Sequence, residues 1–304
     1  MSKRDIIDPH HHLWTLKGDM YPWLRKPMHV GVGGNIESIA SDYVLDDYRA
    51  DTGSYHLLAS VHIEADYDRP FAVDETAWLA RLRQDQGGPD AVVAYAALES
   101  ADLDRTLDGH MAHGDFVKGI RQILCHHDNP DFRFVQRGDL MRDPQWRTGF
   151  AALSRRGLSF DMMIYPHQLA DAADLASDFP DCQIILNHGA MPFDRSAEGL
   201  AHWRSGLRDL ARRENVVMKV SGLGQTDWSW TVDSMRPMIR DLIEIFGPDR
   251  AMFASNFPVD KAYSSFDALY QTFETVVADL SDDEQEALFW RTADHVYRLG
   301  VART

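Results

Sequence analysis

Ile6-Ile7-Asp8-Pro9-His10-His11-His12-Leu13-Trp14 is the stretch on which the fold turns. It starts as a short apolar β run and ends in imidazoles, the pattern of a buried strand that delivers polar groups at its C-terminal end. Side chains alternate along a strand, so His10 and His12 share one face if the strand runs through them, and His11 takes the other. Three histidines held between the apolar pairs Ile6-Ile7 and Leu13-Trp14 belong to the fold; they are not a purification tag.

Similar β-rich segments recur down the chain, at residues 57–63, 91–98, 116–123, 158–165, 183–187, 216–220 and 251–254, and with 6–8 they make eight. Helical patterns lie between them. Residues 74–85 place Trp78, Leu79 and Leu82 on one side, and 144–156 open with Asp143 before Pro144, a cap followed by proline in the first turn. Amphipathic segments follow at 168–178, 200–213 and 234–246, and Ser281-Asp282-Asp283-Glu284 is a capping-box pattern ahead of Ala287, Leu288 and Trp290. Strand–helix alternation with eight strands predicts a (β/α)8 TIM barrel, one α/β domain over residues 1–304. An open doubly wound sheet would have fewer strands and a glycine-rich first turn. Gly31-Val32-Gly33-Gly34 follows no strand and opens no helix, so it belongs to a long loop over 13–35 that holds Trp14, Tyr21, Pro22, Trp23 and Pro27. A loop of that length is expected to be a lid or an interface segment.

Composition narrows the function. A net charge of −16 with no basic patch argues against nucleic acid and anionic membranes as partners, and no run is apolar for long enough to cross a bilayer. Residues 1–8 lack the apolar core and cleavage site of a secretory signal, and Cys125 and Cys182 alone make no disulfide framework. The expectation is a cytoplasmic protein acting on a small molecule. A homo-oligomer is left open, with Trp228-Ser229-Trp230 as either lid or contact surface.

The same alternation on the other strands groups His62 with Glu64, Arg121 with Gly119 and Val117, and Tyr165 and His167 with Asp161 and Met163. It also groups Lys219 with Ser221 and Asn256 with Ala254 and Met252, while His188 ends the apolar run 184–186. Singly, each has a structural explanation: a helix-start charge for Glu64, an ion pair for Arg121, a solvated strand end for Lys219, core packing for a histidine. Polar groups at the C-terminal ends of at least six predicted strands point instead to the end where barrels build active sites.

Residues 6–14, Ile185-Leu186-Asn187-His188 and Met252-Phe253-Ala254-Ser255-Asn256-Phe257-Pro258-Val259 together resemble the amidohydrolase superfamily, in order and at barrel spacing over nearly the whole chain. They are most similar to the branch that contains sugar-lactone lactonases and 2-pyrone-4,6-dicarboxylate lactonase. The resemblance implies a distorted barrel and lactone hydrolysis. It matches His10 and His12 to the family's paired histidines, His188 to its sixth-strand histidine and Arg121 to a substrate-contacting arginine. Some members hold one Zn2+ on such histidines and others use the imidazoles on the carbonyl without metal. Asn256 departs from the family's Asp at the end of strand eight, which serves there as base or metal ligand. A neutral amide does neither well. Asp260, Glu64 or a histidine is then left to act as base. Lys118 has the wrong parity for a metal-bridging lysine, which argues against a binuclear centre.

The expectation is a lactonase acting on a sugar-acid or dicarboxylate-type lactone. His10, His12 and His188 would hold one zinc ion or the carbonyl itself, with Asn256 and Asp260 beside them, and Glu64, Arg121, Tyr165, His167 and Lys219 would bind substrate. Metal-dependent decarboxylation and non-catalytic metabolite binding are the competing readings.

Overall fold

Eight parallel strands pair in chain order: β1 (Asp5–His11), β2 (His56–Ile63), β3 (Ala91–Tyr95), β4 (Val117–Ile123), β5 (Ser159–Met163), β6 (Ile184–Leu186), β7 (Val216–Val220) and β8 (Ala251–Phe253). This computed structural model describes residues 3–301, so the extreme ends of the predicted 1–304 domain lie outside the described residues. Every predicted strand is present in a (β/α)8 barrel. β3 and β5 stop at Tyr95 and Met163, earlier than expected. β1 is longer than expected and runs through His11.

Ile7, Val61, Ile63, Val93, Ile185, Val217 and Met252 fill the barrel interior, with Ala293 and Tyr297 entering from the far end. Alternate residues such as Val92, Ile120, Phe160, Met218 and Phe253 pack outward on the helices. The helices are α1 (Leu45–Asp51), α2 (Ala72–Gln86), α3 (Leu103–Met111), α4 (Pro144–Arg155), α5 (Leu169–Asp178), α6 (Ala197–Leu210), α7 (Val232–Phe246), α8 (Phe266–Val276), α9 (Asp282–Glu286) and α10 (Thr292–Tyr297). Both expected caps form. Asp143 accepts from the Gln145 and Trp146 amides at 2.8 and 3.1 Å, and Ser281 and Glu284 bond each other's backbone, each cap contributing about 1 kcal/mol.

The closing seam positions the site. Just beyond β8, the Asn256 amide donates to His10 O at 2.8 Å, and the His12 amide donates to Phe257 O at 2.7 Å. Outside the barrel, the buried Asp8 carboxylate accepts from the Ser255 amide and hydroxyl and from the Tyr48 hydroxyl, at 2.9, 2.6 and 2.8 Å. The β1 register shifts between Asp8 and His11. Without that shift, plain alternation from Ile7 would turn residue 10 outward with Asp8. With it, His10 and His12 face inward, and His11 stacks on Tyr48 at 4.1 Å between ring centres.

Candidate active site

The His10 ring lies 5.0 Å from that of His12 and 4.5 Å from that of His188. His12 and His188 line the floor of a cavity of about 580 Å³ at the C-terminal end of the barrel; His10 lies just beneath them. Burial, the largest cause, holds all three well below the usual histidine pKa, and neighbouring cations push the same way: Lys219 on His10, Arg121 on His12 and His188. At neutral pH they are uncharged rings with one N–H each.

Their partners assign the protons. His12 Nδ1 lies 2.7 Å from Ile63 O, which can only accept, so Nδ1 carries the hydrogen and Nε2 a lone pair. Asn256 Oδ1, a second acceptor, sits 3.3 Å from that Nε2, held there because Asn256 Nδ2 donates to Asp260 Oδ2 at 2.6 Å. His188 Nδ1 lies 2.9 Å from Ser221 Oγ. His10 Nδ1 faces the Lys219 ammonium at 3.4 Å. An ammonium has no lone pair, so His10 Nδ1 accepts, and its hydrogen is on Nε2, a buried donor without a protein partner among the described residues.

This set does not fit a divalent ion. A histidine ligand normally turns its second nitrogen to an acceptor, which makes the ring more basic, whereas His10 turns its own to a cation. Strand eight ends in an amide and supplies no carboxylate. Among the described residues no group of three or more His, Cys, Asp or Glu side chains is set to hold a metal.

Lys219 and Asp161 are fully buried inside the barrel with Nζ and Oδ1 2.5 Å apart. The Tyr297 hydroxyl and Asn187 Nδ2 donate to the same carboxylate, each at 3.0 Å. Burial lowers Lys219 to about 8, against the pull of Asp161. Burial also raises Asp260 to about 7, with the Asn256 amide opposing it.

The other expected site residues divide. Arg121 lines the cavity, anchored by Nε to Glu64 Oε1 and by one terminal nitrogen to Glu64 O, both at 2.6 Å. Glu64 therefore lies behind the arginine and orients it. Lys219 lies below the floor, against His10. Tyr165 and His167 are not brought to the cavity. β5 ends before them and a short 3-10 turn (Pro166–Gln168) follows, so strand alternation no longer applies. Tyr165 is buried with its hydroxyl donating to Phe132 O at 2.7 Å, and His167 is exposed on the surface outside. Gln225, Met28, Val32 and Phe134, which sequence reasoning missed, do line the cavity. They come from loops, where no periodicity marks them.

The expected long loop crosses the mouth. Trp228 Nε1 donates to Val32 O at 3.2 Å, and the Tyr263 hydroxyl to Gly33 O at 2.7 Å. Gly34 has φ +68°, and a Cβ there would meet the Trp228 ring at 2.7 Å, so glycine is required under the indole.

The family model described as amidohydrolase matches residues 7–299. The protein y4mH of Sinorhizobium fredii is 40% identical over 302 residues, covering 98% of this chain and 100% of that one. L-fucono-1,5-lactonase of Burkholderia multivorans is 30% identical over 306 residues, covering 96% of each. A crystal structure of a Burkholderia multivorans amidohydrolase with bound zinc superposes with a TM-score of 0.81 at 28% identity, covering 96% of this chain and 99% of that one. With the barrel, the seam histidines and a match over almost the full length in agreement, the chain belongs to the amidohydrolase family.

Proposed function

We propose that the protein is a lactonase, which opens a cyclic ester by attack of water. The observation that carries this reading is the pair of acceptors, His12 Nε2 and Asn256 Oδ1, 3.3 Å apart. Two acceptors at that separation invite a water that donates one hydrogen to each. His12 takes its proton as base, and Asn256, tethered by Asp260, aims its lone pair at the carbonyl carbon. The carbonyl oxygen enters between His12 and His188 and accepts from His10 Nε2–H, whose hydrogen Lys219 keeps on that nitrogen. Arg121, on the same cavity, faces the developing negative charge. Preorganised donors of this kind are commonly the largest catalytic contribution, and a cyclic ester needs less of it than an amide. The ring then opens as the proton from His12 passes to the leaving alkoxide.

Support for the reaction class comes from the 30% identical L-fucono-1,5-lactonase, which spans 96% of the chain. The test is acid release at constant pH from a panel of five- and six-membered lactones, on protein stripped of metal and with its metal content measured. Release that persists without metal is expected. No release from any lactone, alongside carbon dioxide release from hydroxybenzoates, would replace this reading with decarboxylation.

A further inference from the structure

The lining of the same cavity is part polar and part apolar, and the apolar part constrains the substrate. The floor is polar: His12, His188, Arg121, Asn256 and Gln225. Above it lies an apolar belt of Trp23, Met28, Val32, Ile123, Phe134 and Met163, contributed by the lid, by β4 and the loop after it, and by the end of β5. Charge elsewhere on the lining comes from Arg25, Lys26, Asp66, Asp131 and Arg133.

A hydroxyl taken out of water without a hydrogen-bond partner costs free energy, and an apolar group of the same size gains it. The belt offers a hydroxyl few partners. Trp23 has already given its indole N–H to Ala65 O at 2.7 Å, and the other five side chains carry no polar hydrogen. Belt and mouth are also apolar in excess of what folding needs. Of the five large apolar side chains most exposed among the described residues, Val30, Phe134 and Trp228 lie on loops around this opening. Phe134 lines the cavity while 43% exposed. An apolar group left to water beside a polar floor is expected where an apolar ligand covers it.

We infer that the preferred substrate is a lactone carrying an apolar body, an aryl or alkyl group attached to or fused with the ring, rather than a polyhydroxylated sugar lactone. This rests on the lactonase reading for the reacting end and on the belt for the rest of the molecule. The ester would sit among the imidazoles, with the apolar body stacked between Met28 and Phe134.

The test pairs turnover with binding. Initial rates are measured on dihydrocoumarin, on unsubstituted δ-valerolactone and on an aldono-1,5-lactone. Binding is measured by calorimetry with the dihydrocoumarin lactam, which is not hydrolysed, and with an aldonolactam. We expect kcat/KM for dihydrocoumarin to exceed that for the sugar lactone by about 100-fold. Phe134→Ser should lower the ratio of kcat/KM for dihydrocoumarin to that for δ-valerolactone about tenfold. A sugar lactone preferred over dihydrocoumarin, or equal losses on both substrates in Phe134→Ser, overturns the inference and leaves the lactonase reading standing. Tight binding of the aryl lactam over the aldonolactam with no turnover of any lactone upholds the apolar occupant and overturns the lactonase reading. Failure of the aryl lactam to bind overturns the inference.

Discussion

Replacing Lys219 by Met separates what the buried ion pair does for the fold from what it does for His10. Both charges are fully buried, so removing one leaves the Asp161 carboxylate in the barrel with the Tyr297 hydroxyl and the Asn187 amide as its remaining donors. Breaking a buried pair in this way costs about 3–5 kcal/mol, and those two hydrogen bonds put the expected loss near the lower end, about 3 kcal/mol. That is a large share of a stability on the order of 10 kcal/mol. The double variant Lys219→Met/Asp161→Asn has no stranded charge and should recover to within about 1 kcal/mol of the parent. Activity should not recover with it. In both variants His10 Nδ1 has lost the ammonium 3.4 Å away, its hydrogen is free to move there, and the donor facing the carbonyl oxygen is lost. Loss of such a donor lowers kcat roughly 100- to 1000-fold. Urea denaturation followed by tryptophan fluorescence gives the first quantity and lactone initial rates the second, while nitrogen-15 histidine spectra report the tautomer. A double variant that regains activity along with stability would refute the positioning role of Lys219, and a single variant that loses under about 1 kcal/mol would refute the buried ion pair.

Other outcomes follow from the same geometry. Asn256→Asp places a second carboxylate beside Asp260, in contact where a 2.6 Å hydrogen bond now stands, and supplies the anionic ligand that strand eight lacks. The purified variant should gain zinc by elemental analysis, and unchanged metal content would count against the amide as the obstacle. Because an ionised Asp260 can only accept and so holds Asn256 Nδ2 toward itself, whereas a protonated one can donate to Asn256 Oδ1, and because Lys219 must be protonated to donate to His10, kcat/KM should rise with pH through about 7 and fall above about 8. Asp260→Asn should abolish the rising limb. For stability the sign is opposite: folded Asp260 keeps its proton to about 7, whereas the unfolded group sheds it near 3.8. Its contribution is therefore complete below 3.8 and lost as the pH climbs through 7, and denaturation midpoints of Asp260→Asn should fall less over that window. Gly34→Val drives a branched side chain into the Trp228 ring at a positive φ and should raise KM several-fold by displacing the lid, with a small change in melting temperature. An unchanged KM would show that the loop over 13–35 does not shape the cavity.

The barrel was legible because its signals are local. Short apolar runs, the Asp143-Pro144 start and the Ser281 box each specify an element from a few neighbouring residues, and β7 falls on the expected 216–220. The relative orientation of His10 and His12 was legible from alternation, although their turn toward the interior depends on a register shift that alternation does not foretell. What was not legible is long-range pairing. Lys219 reads as a substrate contact until Asp161, 58 residues earlier in the chain, is found against it. Glu64 reads as a site carboxylate until Arg121, 57 residues away, claims it. Tyr165 and His167 mislead for a different reason: alternation was carried past the residue where the strand stops. α1 and α3, at 7 and 9 residues, are shorter than the window over which a helical period stands out.

Tyr297 gives the molecule an order of completion. It belongs to α10, yet it reaches the barrel axis and hydrogen-bonds the carboxylate that pairs with Lys219. During synthesis the histidines leave the ribosome long before this tyrosine does. Until α10 docks, water can enter from below and solvate the lysine and its counter-ion, and the proton on His10 is then no longer fixed. A nascent chain halted before Thr292 would already contain every side chain of the cavity and still be expected to do no chemistry, so catalytic competence waits on the docking of α10.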